Sequence, residues 1–197
     1  MRSFIIFWFI ILALFNTGKE VKAITSGFIN VEATADSSGV VPTINGLLSK
    51  TLNDEFGVEA FFLITKGWEE VYAGPTWTPL EGLTLGLSAG TQRVDKGDFE
   101  PRFTTSVLAN YEGFSFLGNF EWDLTGVDGM WYKAIAAYQV TTWLKLGIEG
   151  RRHKGIGPHL ALAIGETQVT AWVTWVPFDP ERKSDIARTM AGIKYSF

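Results

Sequence analysis

The 197 residues contain no cysteine, so neither a disulfide framework nor a lipid-bearing cysteine is available to this chain. Histidine is almost absent too, with only His153 and His159. There is no basic excess: 17 Lys and Arg stand against 21 Asp and Glu, the opposite of the basic face that nucleic-acid binding needs. No apolar run reaches the roughly 20 residues of a spanning helix. The longest, Phe4 to Phe15, stops short of that and sits between Arg2 and the small-residue pattern Val21-Lys22-Ala23. That arrangement predicts a cleaved secretory signal over 1–23 and a mature domain over 24–197. Setting aside Arg2, Lys19, Lys22 and Glu20 leaves 14 basic against 20 acidic residues in the mature chain.

What the chain does have is apolar and aromatic residues, 46% and 14% of the total, spread in short alternating runs. "GFINVEAT" sets Ile29, Val31 and Ala33 against Asn30, Glu32 and Thr34. "FGVEAFFLIT", "RFTTSVLANY" and "LKLGIEGR" repeat the pattern. Period-two alternation is the signature of strands with two different faces. About twelve are expected, near 26–35, 42–51, 56–65, 69–78, 82–92, 102–111, 113–123, 130–140, 142–151, 158–165, 167–176 and 186–197. The connections are expected to alternate between tight ones ("TPLEG", "NYEG", "VTTW", "GETQ") and longer polar ones ("ADSSGVVP", "QRVDKGDFEP", "DLTGVDG", "RRHKGIGP", "VPFDPERKSD"). The fold class is therefore all-β, an up-and-down meander.

Alternation does not say which face is outside. The polar face is rich in Gly, Ser, Thr, Ala and Asn rather than the Lys and Glu of a water-washed surface, and small residues suit a confined barrel interior. On the apolar face the aromatics gather at the run ends. Phe56, Trp77, Tyr111, Phe114, Tyr138, Tyr195 and Phe197 fall at the short-turn ends, and Phe103, Trp122, Tyr132 and Trp175 at the long-loop ends. Two aromatic rings around an aliphatic band match a lipid-facing surface with headgroups above and below.

The last eight residues, "MAGIKYSF", form an alternating strand that finishes on Phe197. Together these features resemble the transmembrane β-barrels of the Gram-negative outer membrane. The resemblance implies a closed antiparallel barrel with both termini periplasmic. It also implies an insertion signal, carried by Gly192, Tyr195 and Phe197, that the barrel-assembly machinery engages; Met190 stands where a polar residue is usual. Closure itself has a physical cause, since lipid offers no partner to an open sheet edge.

By parity the lumen receives Glu32, Glu59, Glu70, Arg102, Glu121, Lys133, Lys145, Glu149, Arg151, Arg188 and Lys194. Acids gather on the early strands while later ones are mixed or basic, so either a transverse field crosses an open pore or the charges pair and fill it. Phe28, Leu47, Phe61, Leu63 and Tyr72 also point inward and partly plug one side. Inward Gly86, Gly90, Gly147, Ala161, Ala163 and Gly165 leave room. One twelve-stranded relative of this class is a phospholipase with a Ser–His pair on its outer wall. Here His159 points inward and His153 belongs to a loop, so no catalytic residues are assigned. The acidic loop residues Asp95, Asp98, Glu100, Asp179, Glu181 and Asp185 lack a calcium-loop spacing, and no metal or cofactor is expected. Twelve strands lie between a filled interior and an open porin. The expected function is a narrow outer-membrane channel for passive diffusion of small polar or charged solutes. The alternatives are an adhesin- or receptor-like barrel acting through its loops and, further off, a lipid-modifying enzyme.

Overall fold

The computed structural model describes residues 25–124, 129–177, 179 and 187–197. The signal-peptide segment and most of the stretch 178–186 lie outside the described residues. Twelve strands follow one another: β1 (Thr25–Asp36), β2 (Gly39–Thr51), β3 (Phe56–Thr65), β4 (Trp68–Leu80), β5 (Leu83–Val94) and β6 (Glu100–Tyr111). The second half comprises β7 (Phe114–Asp123), β8 (Met130–Gln139), β9 (Leu144–Arg151), β10 (Gly155–Ala163), β11 (Val169–Val176) and β12 (Arg188–Ser196). Every neighbour pair is antiparallel, and β1 pairs with β12 from Phe28↔Ser196 to Ala35↔Thr189, so the sheet closes on itself. Closure extends to the last residue. Gly27 N–H donates to the Phe197 carbonyl at 2.9 Å, and Phe197 N–H donates back to Gly27 at 3.0 Å.

The barrel is inside out relative to a soluble protein. Among the described residues, buried polar and charged side chains outnumber buried apolar ones by 18 to 9. The outward parity of each strand is apolar and exposed: Ile29, Val31, Leu87, Ile148 and Ile193 are each between 46% and 58% accessible. Burying polar groups costs free energy unless they are paired, and leaving this much aliphatic surface in water costs more still. A lipid surroundings for the outer face removes the second cost, so lipid is the solvent this surface fits.

The connections correct one expectation. Taking the end that bears the termini as the near end, the distal connections are not uniformly long. β1 turns into β2 through Ser37 and Ser38 alone, and β3 into β4 through Lys66 and Gly67. Residues expected in the "ADSSGVVP" and "RRHKGIGP" loops instead extend β1, β2 and β10, because ladder hydrogen bonding continues past the apolar band. At the near end, Glu112 (φ 45°) and Gly113 (φ 86°) make the paired left-handed turn that joins strands with matching twist.

Candidate lumen site

Each strand turns alternate side chains inward, and register decides which of them meet. All the charged residues expected in the lumen that the structure describes lie on the inward parity. The predicted aromatics Phe56, Trp77, Tyr111, Phe114, Tyr138, Trp122, Trp175 and Tyr195 are exposed, between 41% and 72%, and Tyr132 is half-buried, all on the outward parity. Tyr195 and Phe197 lie ring to ring with centroids 6.1 Å apart.

Two polar networks link strands across the distal half of the lumen. In the first, Arg151 on β9 donates through Nη1 to Glu32 Oε1 at 2.5 Å, and through Nη2 to Glu149 Oε1 at 2.6 Å. Glu32 also accepts from Asn30 Nδ2 at 2.9 Å. Thr174 donates its hydroxyl to Glu149 Oε2 at 2.6 Å, and His159 Nδ1 lies 2.7 Å from the same hydroxyl. Trp172 Nε1 donates to Asn30 Oδ1 at 2.8 Å. This network spans β1, β9, β10 and β11, so a single guanidinium ties two parts of the wall that are far apart in sequence. An arginine fork is the group suited to two carboxylates at once. The Trp172 indole needs a small neighbour: a Cβ at Gly192 would come within 2.8 Å of it.

The second network spans β4, β6 and β7. Tyr72 OH lies 3.2 Å from Glu70 Oε2 and 3.1 Å from Glu121 Oε2, and Arg102 Nη1 lies 3.5 Å from the same Glu121 oxygen. Glu70 Oε1 and Arg102 Nε have no partner among the described residues. Trp68 and Trp131, on β4 and β8, meet edge to face across the interior at 5.8 Å. Towards the distal rim Arg188 Nη1 binds Asp179 at 2.8 Å, and its Nε lies 3.5 Å from Asp36.

Below these networks a cavity of about 580 Å³ reaches the near rim, where Ser26, Thr51, Asn53 and Phe197 line it. Its ceiling includes Tyr72, Trp131, Glu149 and Arg151, and Phe28, Leu47, Phe61 and Leu63 lie in its wall as expected. The expectation of a transverse field resolves into two cases. In the distal half most of the charges pair across the lumen, Glu70 aside; in the near half they do not. Arg102, Arg151 and Arg188 all sit on carboxylates, whereas Lys133 and Lys194, which line the cavity, have no hydrogen bond or ion pair among the described residues. Glu59 alone of the cavity acids lacks a cationic partner and is held instead by the Ser88 and Ser106 hydroxyls at 3.0 and 3.1 Å.

Sequence reasoning missed the inward indoles Trp68, Trp131 and Trp172. Trp172 was detectable as the large residue facing Gly192 across the β11–β12 ladder. His159 does not have the arrangement of a hydrolase pair. His159 presents the same ring nitrogen, Nδ1, to Thr174 and, at 3.3 Å, to Glu149, so the carboxylate does not orient the ring from the opposite nitrogen as a relay requires.

A closed twelve-stranded antiparallel barrel with a polar, charge-networked interior and an apolar outer wall is the fold of the bacterial outer-membrane β-barrel proteins. Among solved structures, the chain is similar to the KdgM porin, with TM-score 0.59 and 13% identity over 86% of this chain and 99% of that one. The same porin in complex with disordered oligogalacturonate gives TM-score 0.58 and 14% identity, with 86% of this chain and 99% of that one covered. The Acinetobacter baumannii outer membrane protein Omp33 matches with TM-score 0.54 and 10% identity over 87% and 98% of the two chains. Outer membrane phospholipase A from Escherichia coli matches with TM-score 0.51 and 11% identity over 87% and 89%. No protein-family model matches the sequence, and no curated protein does.

Proposed function

We propose that the protein is a narrow channel of the outer membrane through which small polar or charged solutes diffuse passively. In this reading residues 1–23 are removed as a signal peptide, the near end faces the periplasm, and the distal networks form the constriction. The observation that carries it is the cavity inside the closed wall, lined by hydroxyls, amides and unpaired lysines where a soluble barrel would be packed with aliphatic side chains. Twelve strands give an interior larger than the filled eight-stranded barrels and smaller than the aqueous sixteen-stranded porins. That a porin of similar fold has been solved with an oligogalacturonate fits the same class of cargo. In this reading His159, held against Thr174 and beside Glu149 inside the wall, has a structural part. Two of the distal connections, at Ser37–Ser38 and Lys66–Gly67, are two-residue turns that offer little surface of their own.

Planar-bilayer recording tests the proposal. Purified, folded barrel is expected to give small discrete conductance steps, below those of a sixteen-stranded porin. Absence of conductance, together with absence of solute entry into protein-bearing liposomes, overturns it.

A further inference from the structure

Once every ion pair in the lumen is taken out, the charges left facing the cavity are few and sorted by wall. Lys133 on β8 and Lys194 on β12 carry unpaired ammonium groups. The Phe28 ring lies 5.9 Å from Lys194 Nζ, and no carboxylate among the described residues makes an ion pair with that ammonium. Lys133 faces Arg151 across the β8–β9 ladder, and Glu32 and Glu149, the acids that Arg151 holds, make no ion pair with Lys133. On β3, five strands round the ring from β8, stands Glu59. Both serine hydroxyls that hold Glu59 bind one oxygen, Oε1, which leaves Oε2 without a hydrogen bond among the described residues. The placement is built. A Cβ at Gly86 would collide with both the Glu59 carboxylate and the Ser106 hydroxyl, so the glycine makes the space in which they meet.

The cavity therefore carries two cations on one side and one anion on the other, with Phe28, Leu47, Phe61, Leu117 and Ile135 in the wall between. In a wall of low polarisability such charges act over longer distances than in water. An anion would satisfy the lysines but be repelled by Glu59, and a cation would meet the reverse. A solute with both charges and an apolar body meets every feature at once.

Resting on the reading of the lumen as the solute path, we propose that this cavity is a site for small zwitterions with an apolar side group, amino acids being the simplest class. The carboxylate lies towards Lys133 and Lys194, the ammonium towards Glu59 Oε2, and the side group against Phe28 and Phe61. The substrate class is then set by the dipole across the lumen rather than by net charge.

Three probes separate the charges: leucine carries both, N-acetylleucine only the carboxylate, and leucinamide only the ammonium. Binding to the folded barrel in detergent is followed by intrinsic fluorescence, since Trp131 and Trp172 line the cavity, with heat-modifiable gel migration as the check of folding. Leucine is expected to bind more tightly than either single-charge probe. A charged hydrogen bond lost with Glu59→Gln is expected to weaken leucine and leucinamide about tenfold and leave N-acetylleucine unchanged or tighter. Lys133→Gln and Lys194→Gln are expected to weaken leucine and N-acetylleucine instead. Gly86→Ala, which crowds the Glu59 carboxylate, repeats the Glu59→Gln pattern and serves if that variant folds poorly. N-acetylleucine binding as tightly as leucine, or Glu59→Gln leaving the ranking of the three probes intact, overturns the proposal. Because binding in detergent needs no conductance, the two readings fail separately. A barrel that conducts but binds none of the probes refutes the zwitterion site, and one that binds leucine but never conducts refutes the channel.

Discussion

Replacing Arg151 by Met is the substitution whose consequence the interior fixes most tightly. The guanidinium is 6% accessible and is the one cation in direct contact with Glu32 (3% accessible) and Glu149 (0%) among the described residues. Its removal leaves two carboxylates inside the wall. Asn30 still donates to Glu32 and Thr174 to Glu149, with His159 Nδ1 against the Thr174 hydroxyl, but no arginine or lysine remains within contact distance among the described residues. Breaking a buried pair by removing one partner costs about 3–5 kcal/mol, because the surviving charge keeps its desolvation penalty. For a domain of 150–250 residues each kcal/mol moves the thermal midpoint by about 2–4 °C, so the expected drop is about 6–20 °C.

The molecule supplies its own control. Arg93 makes a two-oxygen contact with Glu69 at 2.8 Å, but the two side chains are 34% and 43% accessible. An exposed pair of that kind contributes about 0.2–1 kcal/mol. The assay is heat-induced unfolding in one detergent at one scan rate, read by loss of β circular dichroism, for wild type, Arg151→Met and Arg93→Met. A triple variant, Glu32→Gln, Glu149→Gln and Arg151→Met, is expected to recover much of the loss because it removes all three charges together. If Arg151→Met unfolds no earlier than Arg93→Met, the account of the distal lumen as a charge-locked constriction is wrong.

Two further outcomes are expected. Deleting Phe197 removes both hydrogen bonds to Gly27 and the ring that lies over it, at the seam that closes the barrel. The surface level of assembled protein in cells should fall by more than that contact alone explains, and a normal level would remove the insertion-signal reading. Intact-mass measurement of membrane-extracted protein should give a chain beginning at Ile24; a mass that includes residues 1–23 would sink the cleavage site.

The strands were legible because a two-faced sheet writes its faces into the sequence with period two. Strand β3 falls on 56–65 as the alternation predicts, and β7 and β8 differ by a residue at one end. What alternation does not carry is height along the barrel axis. Glu32 and Arg151 were both assigned inward, yet their pairing across 119 positions depends on the stagger at closure, which no local pattern encodes. The turn at Ser37–Ser38 was missed for a related reason. Small polar residues at a strand end look like loop, although inside a barrel they continue the ladder towards Asp36 and Gly39. The inward indoles were hidden by the expectation that aromatics mark the lipid interface. Trp172 instead serves as a lumen donor to Asn30.

The division between arginine and lysine in the lumen follows from their chemistry. Arg102, Arg151 and Arg188 each engage a carboxylate, and all three lie towards the distal rim. A guanidinium is planar, always charged and able to hold two acids in fixed geometry, so it suits a place where the wall must not move. Lys133 and Lys194 face the cavity as single charges on flexible stems and engage no acid. In the proposed channel an ammonium of that kind follows a solute as it passes and lets it go, because no second contact fixes it. A path that locked its cavity charges in the same way as its constriction would offer a solute nothing to exchange with. One that left its constriction charges unpaired would carry the full cost of burying them. Locked arginines above free lysines avoid both penalties, and this ordering follows from three inward arginines, of which Arg102 meets Glu121 on the next strand while Arg151 and Arg188 reach Glu32 and Asp36 on the first strand.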